Sequence, residues 1–75
     1  MTLSAMKPGQ SGKITQVGGE GALRLRLLDM GVIPGTKVKL AKAAPLGDPI
    51  EITLRGYSLT LRLEDAQLIR VEETA

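Results

Sequence analysis

Charged side chains and a few hydroxyls are the only groups in this sequence that could carry chemistry, because it contains neither cysteine nor histidine. Thiolate and imidazole, the usual nucleophile, general base and soft metal ligands, are therefore missing. Among the acidic residues, only the adjacent pairs Glu64–Asp65 and Glu72–Glu73 suggest a cation site. Neighbouring carboxylates on a strand point to opposite faces, so a solvated surface is the simpler reading of both pairs. Ser11 close to Lys13 is the nearest approach to an activated nucleophile, and it amounts to proximity alone. Gly18-Gly19-Glu20-Gly21 has the glycines of a phosphate-cradling loop but lacks its lysine and its hydroxyl. The reading is of a protein that binds rather than catalyses, with no cofactor and no assigned metal ligand.

The chain that must position any binding surface has 75 residues, enough for one domain near the lower limit for folding without a staple. Hydrophobic residues make up 43% of it, yet Tyr57 is its single aromatic side chain, so the core must be built from Leu, Ile and Val. Formal net charge is only +2, but residues 1–47 carry an excess of basic groups and residues 48–75 an excess of acidic ones. Such a split hints at a polarised surface if the fold keeps the halves apart. Met1 to Gly9 has one lysine and no apolar stretch, which argues against a secretion signal. No apolar run approaches the ~20 residues of a membrane span. A soluble, cytoplasmic protein is expected.

Residues 1–10 read as a lead-in ending in the Pro8–Gly9 turn. Ser11 to Val17 suits a first strand with Ile14 and Val17 inward, broken by Gly18, Gly19 and Gly21. Ala22 to Met30 alternates at Leu23, Leu25 and Leu27, yet Leu23, Leu27 and Met30 also share a helical face. Its residues are good helix formers without β-branching, Gly31 stands where a cap glycine belongs, and Pro34 follows as a stop. A helix is therefore expected, with Leu25 opposite the core stripe and Leu28 lateral. From Thr36 the period is two. Val38 and Leu40 oppose Lys37 and Lys39; Ile50, Ile52 and Leu54 oppose Glu51, Thr53 and Arg55; and Leu59, Leu61 and Leu63 oppose Ser58, Thr60 and Arg62. Gly56–Tyr57 is the expected hairpin turn, Glu64–Gln67 a single helical turn, Leu68–Glu72 a last strand, and residues 73–75 a frayed tail. Five short strands and one interrupting helix make an all-β fold, a small barrel that hides its sheet edges.

Two places on this scaffold offer a binding surface. Arg24, Leu25 and Arg26 form an outward helix face on which a partner would gain by covering the leucine. Pro45-Leu46-Gly47-Asp48-Pro49 is a loop whose prolines would hold Leu46 out at low entropic cost, with Asp48 bonding local backbone N–H groups. Gly31, Pro34, Gly35 and Gly56 are expected to serve turns and caps.

The run Leu27-Leu28-Asp29-Met30-Gly31-Val32-Ile33-Pro34-Gly35 resembles the helix-to-turn segment of the FeoA family, ferrous-iron transport protein A. Ala44-Pro45-Leu46-Gly47-Asp48-Pro49-Ile50 and Leu54-Arg55-Gly56-Tyr57-Ser58-Leu59-Thr60-Leu61-Arg62 follow in that family's order, so the likeness spans residues 7–72. The resemblance implies an SH3-like barrel with one short α-helix between strands 1 and 2, a module also found at the C-terminus of diphtheria-toxin-repressor-type iron regulators. It implies an accessory protein of bacterial ferrous-iron uptake that contacts FeoB, a membrane permease with a GTP-binding domain, and meets the inner membrane only through it. Should it stimulate that GTPase, Arg24, Arg26, Arg55 and Arg62 are the candidate arginine fingers. Transition-metal association enters through the family alone, since of the ligands ferrous iron favours only carboxylates are present.

Other readings remain in competition. Lys37, Lys39 and Lys42 on one strand, with a sequence pI near 9.3, would suit phosphate contacts in a small nucleic-acid-binding barrel. One tyrosine is a poor stacking platform for single strands, however. A carboxylate-based divalent-metal module is the other alternative. Polyproline recognition is excluded more firmly, because that groove is lined with aromatic rings.

Overall fold

Alternating apolar residues become strands wherever one face can be buried, and the observed elements follow the alternation closely. The computed structural model describes residues 1–74. Its strands are β1 (Ser11–Val17), β2 (Lys37–Ala43), β3 (Ile50–Leu54), β4 (Tyr57–Leu61) and β5 (Ile69–Thr74). A helix α1 (Gly21–Asp29) lies between β1 and β2, and a single turn α2 (Leu63–Ala66) between β4 and β5. The sheet order is β4-β3-β2-β1-β5, with every pair antiparallel. Register shifts at Ile14/Gln16 and Leu40/Lys42 mark bulges that bend β1 and β2. In β1 the extra residue resets the phase, so that Ile14 and Val17 both face inward although they are three apart. The core they join is aliphatic, with Leu27, Leu40, Ile52, Leu54 and Ile69 fully buried.

At its C-terminus α1 stops in a Schellman arrangement. The Val32 N–H donates to the Leu27 carbonyl at 3.1 Å and the Gly31 N–H to the Leu28 carbonyl at 3.0 Å. Gly31 takes a φ of +98°, which a glycine adopts without strain. Tyr57 adds a second lock, its hydroxyl donating to the Met30 carbonyl. That hydroxyl occupies the space a Cβ on residue 31 would need. One glycine therefore serves both the turn and the contact between α1 and the β3–β4 hairpin.

Four local expectations are corrected. Residues 1–10 are no lead-in: Leu3 is 0% and Met6 6% exposed, both within the core. A 3₁₀ turn at Leu3–Ala5 places them, Thr2 bridges Arg70, and the Met1 carbonyl accepts from the Val71 N–H at 2.8 Å. With so short a chain, the first residues are needed to seal the core beside β5. At the other end β5 runs on through Glu73 and Thr74, which pair with Gly12 and Ser11, so these residues are not frayed; Ala75 lies outside the described residues. The β3–β4 turn is Arg55–Gly56, with φ of 50° and 82°, and Tyr57 is already in the strand opposite Leu54. Two positive φ values in succession make the primed turn that matches strand twist. Leu63 lies in α2, not in a strand, since β4 ends at Leu61.

Two stability measurements test this account. Leu3→Ala, read by urea unfolding, is expected to cost about 2–5 kcal/mol, the price of a core cavity, whereas a true lead-in would lose nothing. Gly31→Ala is expected to cost about 1–3 kcal/mol. Part of that loss should be recovered when Tyr57→Phe removes the hydroxyl in its way, and no coupling between the two would refute the double role of Gly31.

Candidate interaction surface

The phase of α1 decides which side chains it offers. Leu27 is buried, Leu23, Leu28 and Met30 pack part-way against the core, and Leu25 is 61% exposed. Arg24, Leu25 and Arg26 all face outward, but they are not equivalent. Arg24 turns back along the fold, its Nε donating to the Val17 carbonyl at 3.3 Å, and so fastens the helix to the end of β1. Leu25 and Arg26 keep free side chains.

The Pro45–Pro49 loop is closed by two backbone bonds, from the Ala44 N–H to the Pro49 carbonyl at 2.9 Å and from the Gly47 N–H to the Ala44 carbonyl at 2.7 Å. At its tip Leu46 is 94% exposed. Asp48 does not bond its own loop as expected. Its Oδ1 accepts from the Leu63 N–H at 2.9 Å, fifteen residues away. Leu63 is the first residue of α2, whose own N-cap Arg62 offers no side-chain bond, so Asp48 supplies the missing acceptor. The loop is thereby tied to α2.

Between helix and loop runs a strip of shallow depressions. Arg26 and Met30 share one with Thr60, Leu61, Arg62, Glu64 and Asp65. The next is lined by Asp48, Pro49, Thr60 and Arg62, and a third by Lys42, Pro45, Pro49 and Thr60 among others. Of the sequence-derived candidates, Arg26 and Asp48 are thus brought to one continuous surface. Leu25 and Leu46 line none of the depressions, although each is next in sequence to a residue that does. Met30, which the sequence places on the core face of the helix, and Thr60, an exposed threonine with no signal of its own, are also part of the strip. Gly31, Gly35 and Gly56 all adopt positive φ, as turn and cap residues should.

Charges are mostly unpaired. Lys42, exposed, and Glu51, half-buried, stand 3.9 Å apart and form the one ion pair among the described residues, and pairs open to solvent contribute little. Register explains why the basic and acidic halves of the sequence do not separate. Lys13 on β1 has Lys37 of β2 on one side and Glu72 of β5 on the other. The acidic β5 is laid against β1, so a carboxylate stands beside Lys13, while Lys37 and Lys39 on β2 lie one strand further away. Glu73 receives a hydrogen bond from Gln10, and no group of three metal-ligating side chains exists among the described residues.

Comparison with known proteins bears on this surface. The model of the FeoA domain matches residues 1–73. An Fe(2+) transport protein A/Fe(2+) transporter FeoB fusion protein of Porphyromonas gingivalis is 39% identical over 72 residues, which cover 96% of this chain and 8% of that protein. The chain therefore corresponds to a small part of that relative. The solution structure of a FeoA protein from Chlorobium tepidum is 44% identical, with a TM-score of 0.93, and is matched over 100% of this chain and 71% of that one. FeoA of Stenotrophomonas maltophilia, described as an SH3 domain protein and complexed with zinc, is 25% identical with a TM-score of 0.84, over 96% and 89% of the two chains. The fold is accordingly SH3-like. It recurs in a manganese-dependent transcriptional repressor at 15% identity and a TM-score of 0.89, over 99% of this chain and 41% of that one, which is a likeness of fold alone.

Asp48→Ala should lower stability by about 0.5–2 kcal/mol in a denaturant titration, as loss of a helix cap does. Asp48→Asn, which keeps an acceptor oxygen, should lose less. A neutral Asp48→Ala would mean that the loop and α2 are not coupled.

Proposed function

The chain belongs to the FeoA family, and we propose that it serves ferrous-iron uptake as a small accessory protein that binds an FeoB-type transporter. What carries this reading is the relative in which the same module and the FeoB transporter form one polypeptide. Fusion keeps two domains at high effective concentration, which is useful when they act on each other. A separate chain must replace that tether with affinity, and the exposed side chains supply a means. Burying Leu25 or Leu46 on a partner would contribute about 1.5–3 kcal/mol each. Arg26 and Arg62, in no ion pair among the described residues, would meet carboxylates of the partner.

On this reading the protein acts by contact and not by catalysis. Among the described residues no helix is long and apolar enough to cross a membrane, and on this reading the transporter gives the protein its place there. Binding to the GTP-binding domain of the transporter would let nucleotide state control the contact. Arg26, Arg55 and Arg62 carry free guanidinium groups for an arginine-finger role, while Arg24 is held by Val17.

The test is capture of detergent-solubilised FeoB by this protein, with and without a GTP analogue. Leu25→Asp and Leu46→Asp are expected to weaken capture at least about tenfold each, in keeping with the loss of a buried leucine. Both should unfold in urea at the wild-type midpoint, since neither side chain is in the core. Absence of capture in every nucleotide state would overturn the proposal, and unchanged GTP turnover on addition of the protein would remove the arginine-finger role.

A further inference from the structure

The two edges of the sheet are treated differently. The β5 edge is covered by Met1 and Thr2 and bears Arg70, Glu72 and Glu73. Beside Arg26 of α1 and its C-cap Met30, which share a depression with Thr60 and Leu61, the β4 edge pairs with no strand or terminus among the described residues. Its sequence, Tyr57-Ser58-Leu59-Thr60-Leu61, contains no charge, no proline and no bulge, the devices that ordinarily keep an edge from pairing. The Arg55–Gly56 turn sets Leu54 against Tyr57 as a hydrogen-bonded pair, and the alternation of antiparallel ladders then gives Leu59 and Leu61 to β3. Ser58 and Thr60 therefore turn their N–H and C=O groups to the free side. Among the described residues, no backbone or side-chain hydrogen bond reaches them there. A row of alternating donors and acceptors is matched by one kind of ligand, another extended backbone.

We propose that this ligand is a second copy of the chain, joined β4 to β4 in an antiparallel pair about a twofold axis at Leu59. In that register Ser58 of each copy faces Thr60 of the other, and all the outward backbone groups of both residues are satisfied. The same pairing stacks hydroxyl side chains of serine and threonine across the strands. Leu59, part-buried at the margin of the core, meets its own mate in the closely spaced non-hydrogen-bonded position. Charge complementarity favours this occupant as well. The edge begins beside Arg55 and ends at Glu64 and Asp65, so an antiparallel copy brings Arg55 to the start of its partner's α2, where those two carboxylates outnumber Arg62. The contact is self-complementary, as a twofold interface must be. It is also small, and the dimer is correspondingly weak.

Sedimentation equilibrium of the purified chain tests this independently of any transporter. The monomer mass is 8.0 kDa. The weight-average mass is expected to climb from this value towards twice it between about 10 µM and 1 mM, the range of a small edge contact. Thr60→Pro removes an outward N–H and no bond to β3, so it should stay folded by circular dichroism and raise the dissociation constant at least about tenfold. Arg55→Asp, at a position where aspartate tolerates the positive φ, should weaken the dimer, and Glu64→Lys in the same chain should restore it. A wild type that stays at monomer mass at the highest concentration overturns the proposal. So does self-association that both Thr60→Pro and Arg55→Asp leave intact. Loss of transporter capture in Thr60→Pro without any self-association of the wild type would give the edge to the transporter instead.

Discussion

The outer surface of this protein depends on one junction, where the end of α1 meets the β3–β4 hairpin at Met30, Gly31, Val32 and Tyr57. Backbone bonds from Gly31 and Val32 end the helix, and the tyrosine hydroxyl holds its last carbonyl. Together they fix the rotation of α1 about its axis. Leu27 goes into the core as a consequence, Leu25 goes out, and Arg26 and Met30 come alongside β4. A helix of nine residues is too short to be stable alone, so its phase must come from such contacts. The one aromatic side chain is spent on this junction and is 43% exposed, while the core is left to aliphatic residues.

Small size governs the rest. A chain of 75 residues has little apolar surface to spare, and residues that a longer domain would leave as a flexible terminus are drawn into the core. Leu3 and Met6 fill it from the end beside β5, and the same segment covers that edge. At β4 the end of α1 lies alongside, through Tyr57 and the Met30 carbonyl, but among the described residues no segment bonds the free edge. Asp48 makes the corresponding link on the other side, joining the Pro45–Pro49 loop to α2 and stopping short of the strand.

The strands were legible in the sequence because their pattern is a direct image of burial. Ile50, Ile52 and Leu54 could sit in a half-buried strand in one phase only, and they do. The helix could be read as well, once the absence of β-branching and the glycine at its end were set against the alternation of Leu23, Leu25 and Leu27. The errors share a cause, which is that they concern contacts between residues distant in sequence. Leu3 and Met6 are two apolar side chains among polar neighbours, with no periodicity to mark them as core. Asp48 has ordinary turn chemistry around it, and nothing local points to Leu63. The one-residue shift of the hairpin turn reflects Arg55, a residue that rarely takes positive φ and does so here because the register of β3 with β4 demands it. Of the candidate site, the exposure of Leu25 and Leu46 was legible; that Arg26 and Asp48 share one strip was not, since only the fold brings α1 and the loop to the two sides of β4.

Charge patterning shows how far composition can mislead about partners. A basic first half and an acidic second half invite the idea of two oppositely charged faces. Antiparallel pairing of β1 with β5 works against it, because Lys13, the one lysine on that pair of strands, acquires Glu72 as a neighbour. Lys13 and Glu72 form no ion pair, but opposite charges on neighbouring strands weaken the local potential around Lys13. What the exposed groups offer a partner is short-range, namely apolar contact, backbone hydrogen bonds and charge-assisted bonds from the arginines. Those are what the surface has in surplus. Leu25 and Leu46 stand out from the helix and the loop, and the unpaired edge of β4 runs between them. On the proposed reading such a surface would recognise another protein by shape, with its selectivity resting on how firmly the junction at Gly31 and the Asp48 link hold the helix and the loop in place.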